Sequence, residues 1–392
     1  MSRHLEWLLI SWSLLAFCWW GIALWLVFRE RRKTCSQKTG GSDAVQQNRP
    51  TLSIFKPIPS LHGAAPSSQL VGALESFVSQ LTADTEMLLG IEDTEALSWE
   101  PVIAKWRQTY TEAKLNVIVA PRPAQFRSPK VSWFHHLARY ADGEVWLWSD
   151  ADIVAPARSL DAMRREFSES DAGMLTSPYV VRNAGSAPMM LEALFANMEF
   201  YPGVLFCRQM GPVRFGLGPA MMFSAARFRE RAQWEKLGAR MADDNALGRA
   251  LAPVKISETT VATFAAESTW RDAVQHYFRW KKTVRWCQPA GFAGLIIIQP
   301  TLGWLLAILM HPLSAVAWLG FVATGQVEVL TAATLFWLIG CELRSWSAVI
   351  LWSLLLRPLT WVACWMPWPV VFRSQKRKWW SLYHSVPLEG ES

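Results

Sequence analysis

The chain has 392 residues, of which 51% are apolar, 18% are charged and 24 are Trp, a composition far from that of an ordinary soluble protein. Its formal charge of +7 is concentrated beside apolar segments, in Arg29–Lys33, Arg279–Arg285 and Arg373–Lys378. This arrangement suits an anionic membrane leaflet. No groove-reading motif accompanies the charge, so we exclude nucleic acid as a partner. The six Cys residues show no Cys-x-x-Cys spacing, which argues against a zinc site and a disulfide framework.

The N-terminal stretch from Leu5 to Phe28 is apolar and long enough to span a bilayer. The basic run Arg29–Lys33 follows it directly, so the positive-inside rule places the next part of the chain in the cytoplasm. Residues 34–50 are polar and rich in Gly and Gln, a composition that predicts a linker.

From residue 51 to 267, short apolar runs alternate with amphipathic stretches, which predicts an α/β fold with a mainly parallel sheet. Apolar residues recur at helical spacing between Leu70 and Leu81. The predicted strands are Leu52–Pro57, Met87–Asp93, Leu115–Ala120, Val145–Trp148 and Val254–Phe264.

Two carboxylates, Asp150 and Asp152, follow the apolar run Val145–Trp148. Ligands of an open α/β sheet sit at the carboxyl ends of its strands. Because Mg²⁺-type sites use one or two carboxylates together with substrate phosphates, the pair predicts a site for a metal and the diphosphate of a nucleotide sugar. The alternative is a solvated turn, since Asp is a common turn residue.

Three further acidic residues are candidates. Asp93 ends a predicted strand, where it would either bind a ribose or base or serve as a turn residue or helix cap. Asp243 and Asp244 precede the helical run Ala246–Leu251, so one of them could cap that helix. The other could be the general base, since sugar transfer with inversion needs a carboxylate to accept the proton of the acceptor hydroxyl.

The segment Trp270–Gln288 interleaves aromatic with basic residues. This pattern predicts an interfacial helix in the headgroup plane, with Trp280 and Trp286 as anchors. Membrane attachment alone would explain every residue of it.

The chain is almost wholly apolar beyond Pro289. We predict one span in Ala290–Met310 and a return span within Leu313–Leu343. The last apolar run, Ser347–Phe372, is interrupted by prolines, and a full crossing would place the basic run Arg373–Lys378 outside. We therefore expect a re-entrant or interfacial segment there.

The predicted organisation is an N-terminal transmembrane helix (1–28), a polar linker (29–50), a cytoplasmic domain (51–267), a basic interface helix (268–288), a C-terminal membrane region with two spans and a re-entrant or interfacial segment (289–380), and a tail (381–392).

The order of these motifs resembles the ceramide glucosyltransferase family, glycosyltransferase family 21, whose fold is of the GT-A type. That family has three spaced aspartate signatures and a (Gln/Arg)-x-x-Arg-Trp box before C-terminal spans. The corresponding motifs here are Asp93 at the end of a predicted strand, Asp150-Ala-Asp152, Asp243-Asp244 and the box His276-Tyr-Phe-Arg279-Trp280. Ser53–Pro57 and Ser128–Val131 look like the Leu-Lys-Pro and Asn-Pro-Lys segments of the family. The likeness runs from about residue 52 to 294.

The resemblance implies a role for each of these residues, and we treat these roles as expectations. They are donor nucleotide binding for Asp93, Lys56 and Lys130; diphosphate and Mg²⁺ or Mn²⁺ binding for Asp150 and Asp152; the catalytic base for Asp244, supported by Asp243; and an acceptor and diphosphate box for His276, Arg279 and Trp280.

His276 stands where the eukaryotic branch has Gln or Arg, and the surrounding run looks more like the bacterial branch associated with hopanoid biosynthesis. The resemblance therefore implies a bacterial inner-membrane enzyme that transfers GlcNAc or Glc from a UDP-sugar to a lipid hydroxyl, a hopanoid, at the cytoplasmic face. The alternatives are a ceramide glucosyltransferase proper, a processive family 2 polysaccharide synthase, which usually has more spans, and a catalytically silent membrane scaffold. The oligomeric state stays open.

Overall fold

The structure is a computed structural model that describes residues 1–37, 50–62, 64–240, 242–265 and 269–366. Most of the predicted linker, the basic run Arg373–Lys378 and the tail at 381–392 lie outside the described residues. Within them the chain forms two compact units. A sheet unit contains residues 50–62, 64–179, 210–240 and 242–263, and a helical unit contains 1–37, 180–209, 264–265 and 269–366.

The strands, in chain order, are β1 (Leu52–Pro57), β2 (Thr85–Glu92), β3 (Lys114–Ala120), β4 (Val145–Ser149), β5 (Met174–Thr176), β6 (Tyr179–Arg182), β7 (Ala220–Ser224), β8 (Val254–Ile256) and β9 (Val261–Phe264).

The helices are α1 (Arg3–Gln37), α2 (Ser68–Val78), α3 (Ala96–Thr109), α4 (Pro129–Leu137), α5 (Ser159–Ser168), α6 (Ala187–Leu194), α7 (Tyr201–Met210), α8 (Ala225–Arg231), α9 (Trp234–Gly238), α10 (Asp243–Leu251), α11 (Trp270–Cys287), α12 (Pro289–Gly294), α13 (Pro300–Met310), α14 (Ala315–Ile339), α15 (Trp346–Leu351) and α16 (Arg357–Trp365). Short 3₁₀ helices occupy Asp93–Glu95 and Leu295–Ile298, and π-helical turns occupy Phe195–Phe200 and Trp352–Leu356.

The main sheet has the strand order β3-β2-β1-β4-β7-β5-β8. All pairings in it are parallel except those of β7, which runs antiparallel to both β4 and β5. The carboxyl ends of the parallel strands therefore share one edge of the sheet with the start of β7. The predicted α/β fold with a mainly parallel sheet is confirmed.

The centre of the sheet is held by aromatic packing around β4, whose five residues are all buried. Trp148 stacks on Phe134 of α4 with the ring centroids 4.3 Å apart, and on Trp234 of α9 at 5.4 Å. A strand covered on both faces must be apolar throughout, which explains the unbroken run before the two aspartates. This core fixes the position of the strand end from which Asp150 projects.

The sequence prediction of one strand over Val254–Phe264 is wrong, because the structure has two strands, β8 and β9, separated by residues 257–260. Residues 180–209 belong to the helical unit. Their helix α6 buries Met189 and Met190 and packs on α11.

The helical unit contains three helices that are long and apolar enough to cross a membrane, in Arg3–Lys33, Ala315–Ile339 and Trp346–Trp365. A fourth span is formed if Pro289–Ile298 and Pro300–Met310, which meet at a bend of 61°, count as one. The predicted apolar helices at both ends of the chain are therefore confirmed. The helix in Trp346–Trp365 continues through Pro358, although proline has no amide hydrogen to donate. The π turn Trp352–Leu356, directly before it, adjusts the local hydrogen bonding to this loss. The re-entrant or interfacial segment expected in this region stays a prediction.

An internal ion pair satisfies the backbone at the 61° bend. Arg357, fully buried, donates to the carbonyl oxygen of Ile298 at 2.7 Å and to Glu328 Oε1 at 2.8 Å. The Thr301 hydroxyl donates to the same Glu328 oxygen at 3.3 Å. A carbonyl released by a broken helix needs such a donor in an apolar environment, so Arg357 explains how the bend is tolerated.

Candidate active site

The carboxyl ends of β1 and β4 lie side by side, and a buried lysine ties them together. The strands are parallel, with Phe55 opposite Trp148. Lys56, fully buried, donates from Nζ to Ser149 Oγ at 2.9 Å and to the backbone oxygen of Asp150 at 2.7 Å. Lys56 therefore braces the backbone that presents Asp150.

Three charged groups converge at this edge around Gly218, which lies two residues before β7. A Cβ atom built on Gly218 would lie 3.4 Å from Lys130 Nζ, 3.5 Å from Asp150 Oδ2 and 3.6 Å from Asp244 Oδ2. Residues from three separate parts of the sequence thus meet at one point. We use the name aspartate cluster for Asp150, Asp152, Asp243 and Asp244.

Lys130 links two members of the aspartate cluster. It lies in the first turn of α4, which Ser128 caps by accepting from the Val131 amide at 3.2 Å. Its Nζ is 2.6 Å from Asp150 Oδ1 and 3.9 Å from Asp243 Oδ2. One ammonium group therefore balances the carboxylate after β4 and the first carboxylate of α10.

The carboxylate of Asp244 is oriented by two backbone amides. Its Oδ1 accepts from the Asn245 amide at 2.7 Å, and its Oδ2 accepts from the Gly218 amide at 3.1 Å. The Gly216 amide also donates to the Asp244 backbone oxygen at 3.2 Å. The carboxylate is consequently held in one orientation at the start of α10, as a general base requires.

Asp152 is held by the segment that leads to the end of β9. The Thr263 hydroxyl donates to Asp152 Oδ2 at 2.9 Å. Two backbone bonds between Val154 and Ala262, at 2.7 and 3.1 Å, pin the same segment. The second aspartate of the Asp-Ala-Asp motif is thus fixed independently of the first.

The pKa values of three members of the aspartate cluster, and that of the neighbouring Lys130, are all raised. Burial, reinforced by Asp243, raises the pKa of Asp244 to about 6, although Lys130 opposes the shift. Burial raises the pKa of Asp243 as well, against the opposing effect of Lys130. Desolvation and the charge of Asp150 raise the pKa of Asp152. Burial disfavours the charge of Lys130, but the surrounding carboxylates outweigh it and raise the Lys130 pKa.

Asp93 and Lys56 lie at the same edge of the sheet but outside this convergence. Asp93 is exposed just after β2 and opens the short 3₁₀ helix, where its Oδ1 accepts from the Thr94 amide at 2.8 Å. Asp93 therefore makes one local hydrogen bond and has an exposed side chain. Its role as a turn residue or in binding the nucleotide stays open. The structure gives Lys56 a bracing role, and its contact with a nucleotide stays a prediction.

His276, Arg279 and Trp280 lie on α11 in the helical unit. His276 Nδ1 is 3.7 Å from Glu192 Oε2, and its ring lies 4.9 Å from that of Trp280 between centroids. Burial lowers the pKa of Arg279 to about 10, although Glu192 opposes the shift, so the side chain stays cationic at neutral pH. Their contacts with donor and acceptor stay predictions.

Gly218 and Thr263 were not identified from the sequence. Gly218 lies in a Gly-Leu-Gly-Pro run before the buried strand β7, and that run was the available signal. Nothing local marks Thr263, because its partner Asp152 is 111 residues away.

The aspartate cluster fits a divalent cation only if a substrate completes the coordination. Among the residues that the structure describes, no group of three or more His, Cys, Asp or Glu side chains has the geometry of a metal site. Asp150 and Asp152 supply two carboxylates, and Asp243 Oδ2 is buried without a hydrogen-bond partner in the described part of the chain. Mg²⁺ needs only one or two protein carboxylates when substrate phosphates supply the other oxygens. The donor set therefore fits a cation that binds with a diphosphate.

We expect Lys130→Ala to tighten Mn²⁺ binding to the protein without donor by about tenfold, because Lys130 Nζ pairs with Asp150 Oδ1 and repels a second cation. Electron paramagnetic resonance of free Mn²⁺ during titration measures this affinity. The exposed Lys105→Ala provides a matched control. An unchanged affinity in Lys130→Ala would contradict the expectation.

Comparisons with known proteins agree with the resemblance. The family model described as Glycosyl transferase family 21 matches residues 8–377. No curated protein matches the chain. Solved structures to which this chain has some similarity include the mannosyltransferase PcManGT from Pyrobaculum calidifontis in complex with GDP-Man and Mn²⁺ (16% identity, 90% of this chain, 99% of that chain, TM-score 0.49). Another is S. aureus TarS 1–349 in complex with UDP-GlcNAc (12% identity, 80% of this chain, 79% of that chain, TM-score 0.35). The family match covers nearly the whole chain, which therefore belongs to glycosyltransferase family 21 and is a glycosyltransferase.

Proposed function

We propose that the protein is a membrane-bound inverting glycosyltransferase that moves GlcNAc or Glc from a UDP-sugar to the hydroxyl of a lipid, a hopanoid. The observation that supports this most strongly is the oriented carboxylate of Asp244. It lies with Asp150 and Lys130 around Gly218, so a proton acceptor and a diphosphate-binding edge occupy one place. A single displacement requires these two elements and no covalent intermediate.

In this proposal, Asp244 accepts the proton of the lipid hydroxyl while the hydroxyl oxygen attacks the anomeric carbon. The Gly218 and Asn245 amides keep the carboxylate aimed during the transfer. Asp150 and Asp152 hold Mg²⁺ or Mn²⁺ together with the donor diphosphate. When bound, that cation neutralises the charge that develops on the leaving nucleoside diphosphate. Asp243 keeps the pKa of Asp244 raised, and Lys130 adds a positive charge beside the leaving group.

The three or four candidate membrane spans and the membership of family 21 support the proposed lipid acceptor. The basic run Arg29–Lys33 after the first span supports an inner-membrane protein whose sheet unit faces the cytoplasm, where UDP-sugars are made. The hopanoid acceptor rests on the sequence around His276. The roles of His276, Arg279 and Trp280 towards donor and acceptor rest on the family box.

The rate should depend on pH through Asp244, whose pKa is raised to about 6. The base is active when ionised, so kcat/KM should be constant above this pKa and fall tenfold per pH unit well below it. Asp243→Asn should move the acidic limb to lower pH, because Asp243 raises the pKa of Asp244. Initial rates at saturating Mn²⁺ between pH 5 and 8 measure the acidic limb of the wild type and that of the variant. A limb that does not move in the variant would show that another group titrates.

The function itself is tested by a transfer assay on the full chain in lipid nanodiscs. Labelled UDP-GlcNAc, UDP-Glc and UDP-Gal are offered against a hopanoid polyol and ceramide, with Mg²⁺ or Mn²⁺. The proposal predicts a glycolipid from GlcNAc or Glc with the hopanoid, lost with chelator. Product from ceramide alone would show that ceramide, and not a hopanoid, is the acceptor. A folded protein that gives no product from any pair would contradict the proposal.

A further inference from the structure

The helix α11, which carries the family box, also carries a fully buried charge. Lys281 is 0% exposed, and its Nζ donates to Glu199 Oε1 at 2.9 Å. The Glu199 side chain is 1% exposed. The sequence places Lys281 in a basic surface pattern, but the structure turns it into the interior of the helical unit.

Glu199 lies in the π-helical turn Phe195–Phe200 between α6 and α7. A second π turn holds α11 one helical turn away, where Trp352 donates from Nε1 to the Tyr277 hydroxyl at 3.2 Å. π turns are rare and occur often at functional sites. Both π turns of the described chain thus bind buried polar groups on one face of α11.

This ion pair is poorly explained by stability alone. Taking two charges out of water costs about as much as their attraction returns, and apolar replacements of such pairs are often neutral or stabilising. Glu199 Oε2 also has no hydrogen-bond partner among the described residues. The ion pair defines the rotation of α11 about its axis, because only one rotation brings Lys281 to Glu199.

The rotation of α11 decides where the family box points. His276 immediately precedes Tyr277, and Trp280 immediately precedes Lys281. A residue of the family box therefore stands directly before each of the two residues that make the buried polar contacts. A shift by one residue would turn the box by about 100° around the helix axis. Phe195, at the start of the first π turn, packs against both Tyr277 and Trp280, at centroid distances of 5.4 and 5.5 Å.

We propose that Lys281 and Glu199 are positioning residues for the transfer reaction, because their ion pair sets the rotation of α11 that presents His276, Arg279 and Trp280. The proposal rests on the proposed function, in which this box serves donor and acceptor. Both side chains are buried, so in this proposal they act through the helix and not on the substrate.

The test compares Lys281→Met with the double variant Lys281→Met/Glu199→Leu. The single variant leaves a buried carboxylate unpaired, so both Tm and kcat/KM should fall. The double variant should regain a wild-type Tm, yet kcat/KM should stay about 100-fold low because the box is misplaced. Full recovery of kcat/KM together with Tm would overturn the proposal, because a merely structural pair would behave in that way. The exposed Lys105→Met is the matched lysine control and should change neither quantity.

A proximity measurement separates this proposal from the proposed function. Glu192→Cys and His276→Cys introduce thiols at positions whose native side chains lie 3.7 Å apart. A short thiol-specific cross-linker, with mass-spectrometric detection of the linked peptides, should join them efficiently when Lys281 and Glu199 are present and poorly in the double variant. Equal cross-linking would refute the positioning role even if transfer is observed. A clear difference without any transfer would uphold it while the proposed function fails.

Discussion

Replacing Asp244 by Asn is expected to lower kcat by about 10³-fold, within the range that a positioned general base contributes. Asn keeps the size of the side chain and can still accept from the Gly218 amide, which now donates to Asp244 Oδ2 at 3.1 Å. It cannot accept the proton of the lipid hydroxyl. The loss should therefore appear in kcat, while the affinity for UDP and Mn²⁺, measured by calorimetry, stays within a few-fold of the wild-type value.

The control for this variant is Asp171→Asn, which changes an exposed aspartate of the sheet unit and should leave kcat unaltered. If Asp244→Asn retained a large part of the wild-type rate, another group would be the proton acceptor. Asp243 would then be the next candidate, since its Oδ2 is buried and accepts no hydrogen bond from the described residues.

Replacing Asp152 by Asn is expected to lower transfer by about 10²-fold, because a cation at the leaving diphosphate contributes several kcal/mol. This position gives a cleaner test than Asp150, because its structural partner is the neutral Thr263 hydroxyl and not a lysine. Mn²⁺ affinity in the presence of UDP should fall in parallel with the rate, and excess Mn²⁺ should restore part of the activity.

Thr263→Val is a milder variant for comparison with Asp152→Asn. It removes only the hydroxyl that donates to Asp152 at 2.9 Å, so it should weaken Mn²⁺ binding less than Asp152→Asn does. If Asp152→Asn bound Mn²⁺ and UDP as tightly as the wild type, the assignment of Asp152 to the metal site would be wrong.

The sequence predicts the parts of the fold that have strong local patterns. The predicted β1 has the observed bounds, because Pro57 and Pro59 mark its end. The predicted β4 is correct within one residue, because a strand covered on both faces requires an unbroken apolar run. β7 escaped detection. It joins the sheet by antiparallel pairing with β4, a strand about 70 residues earlier in the chain, and no local pattern encodes this pairing.

The same distinction applies to the site. Aspartates that end strands or precede a helix are visible because their position relative to an element carries the information. The contacts that define their chemistry are not visible, since Gly218 meets Asp244 only after folding. Lys281 shows the limit most clearly. In the sequence it belongs to a basic pattern typical of a membrane surface, and its partner Glu199 lies 82 residues earlier.

The most direct test of the proposed single displacement by Asp244 is the anomeric configuration of the product. The full chain in nanodiscs is given a UDP-sugar, whose glycosidic bond to the diphosphate is α, and the glycolipid is examined by proton NMR. One attack from the face opposite the diphosphate predicts a β-linked sugar in the product. An α-linked product would require two displacements or attack from the same face, and it would contradict the account.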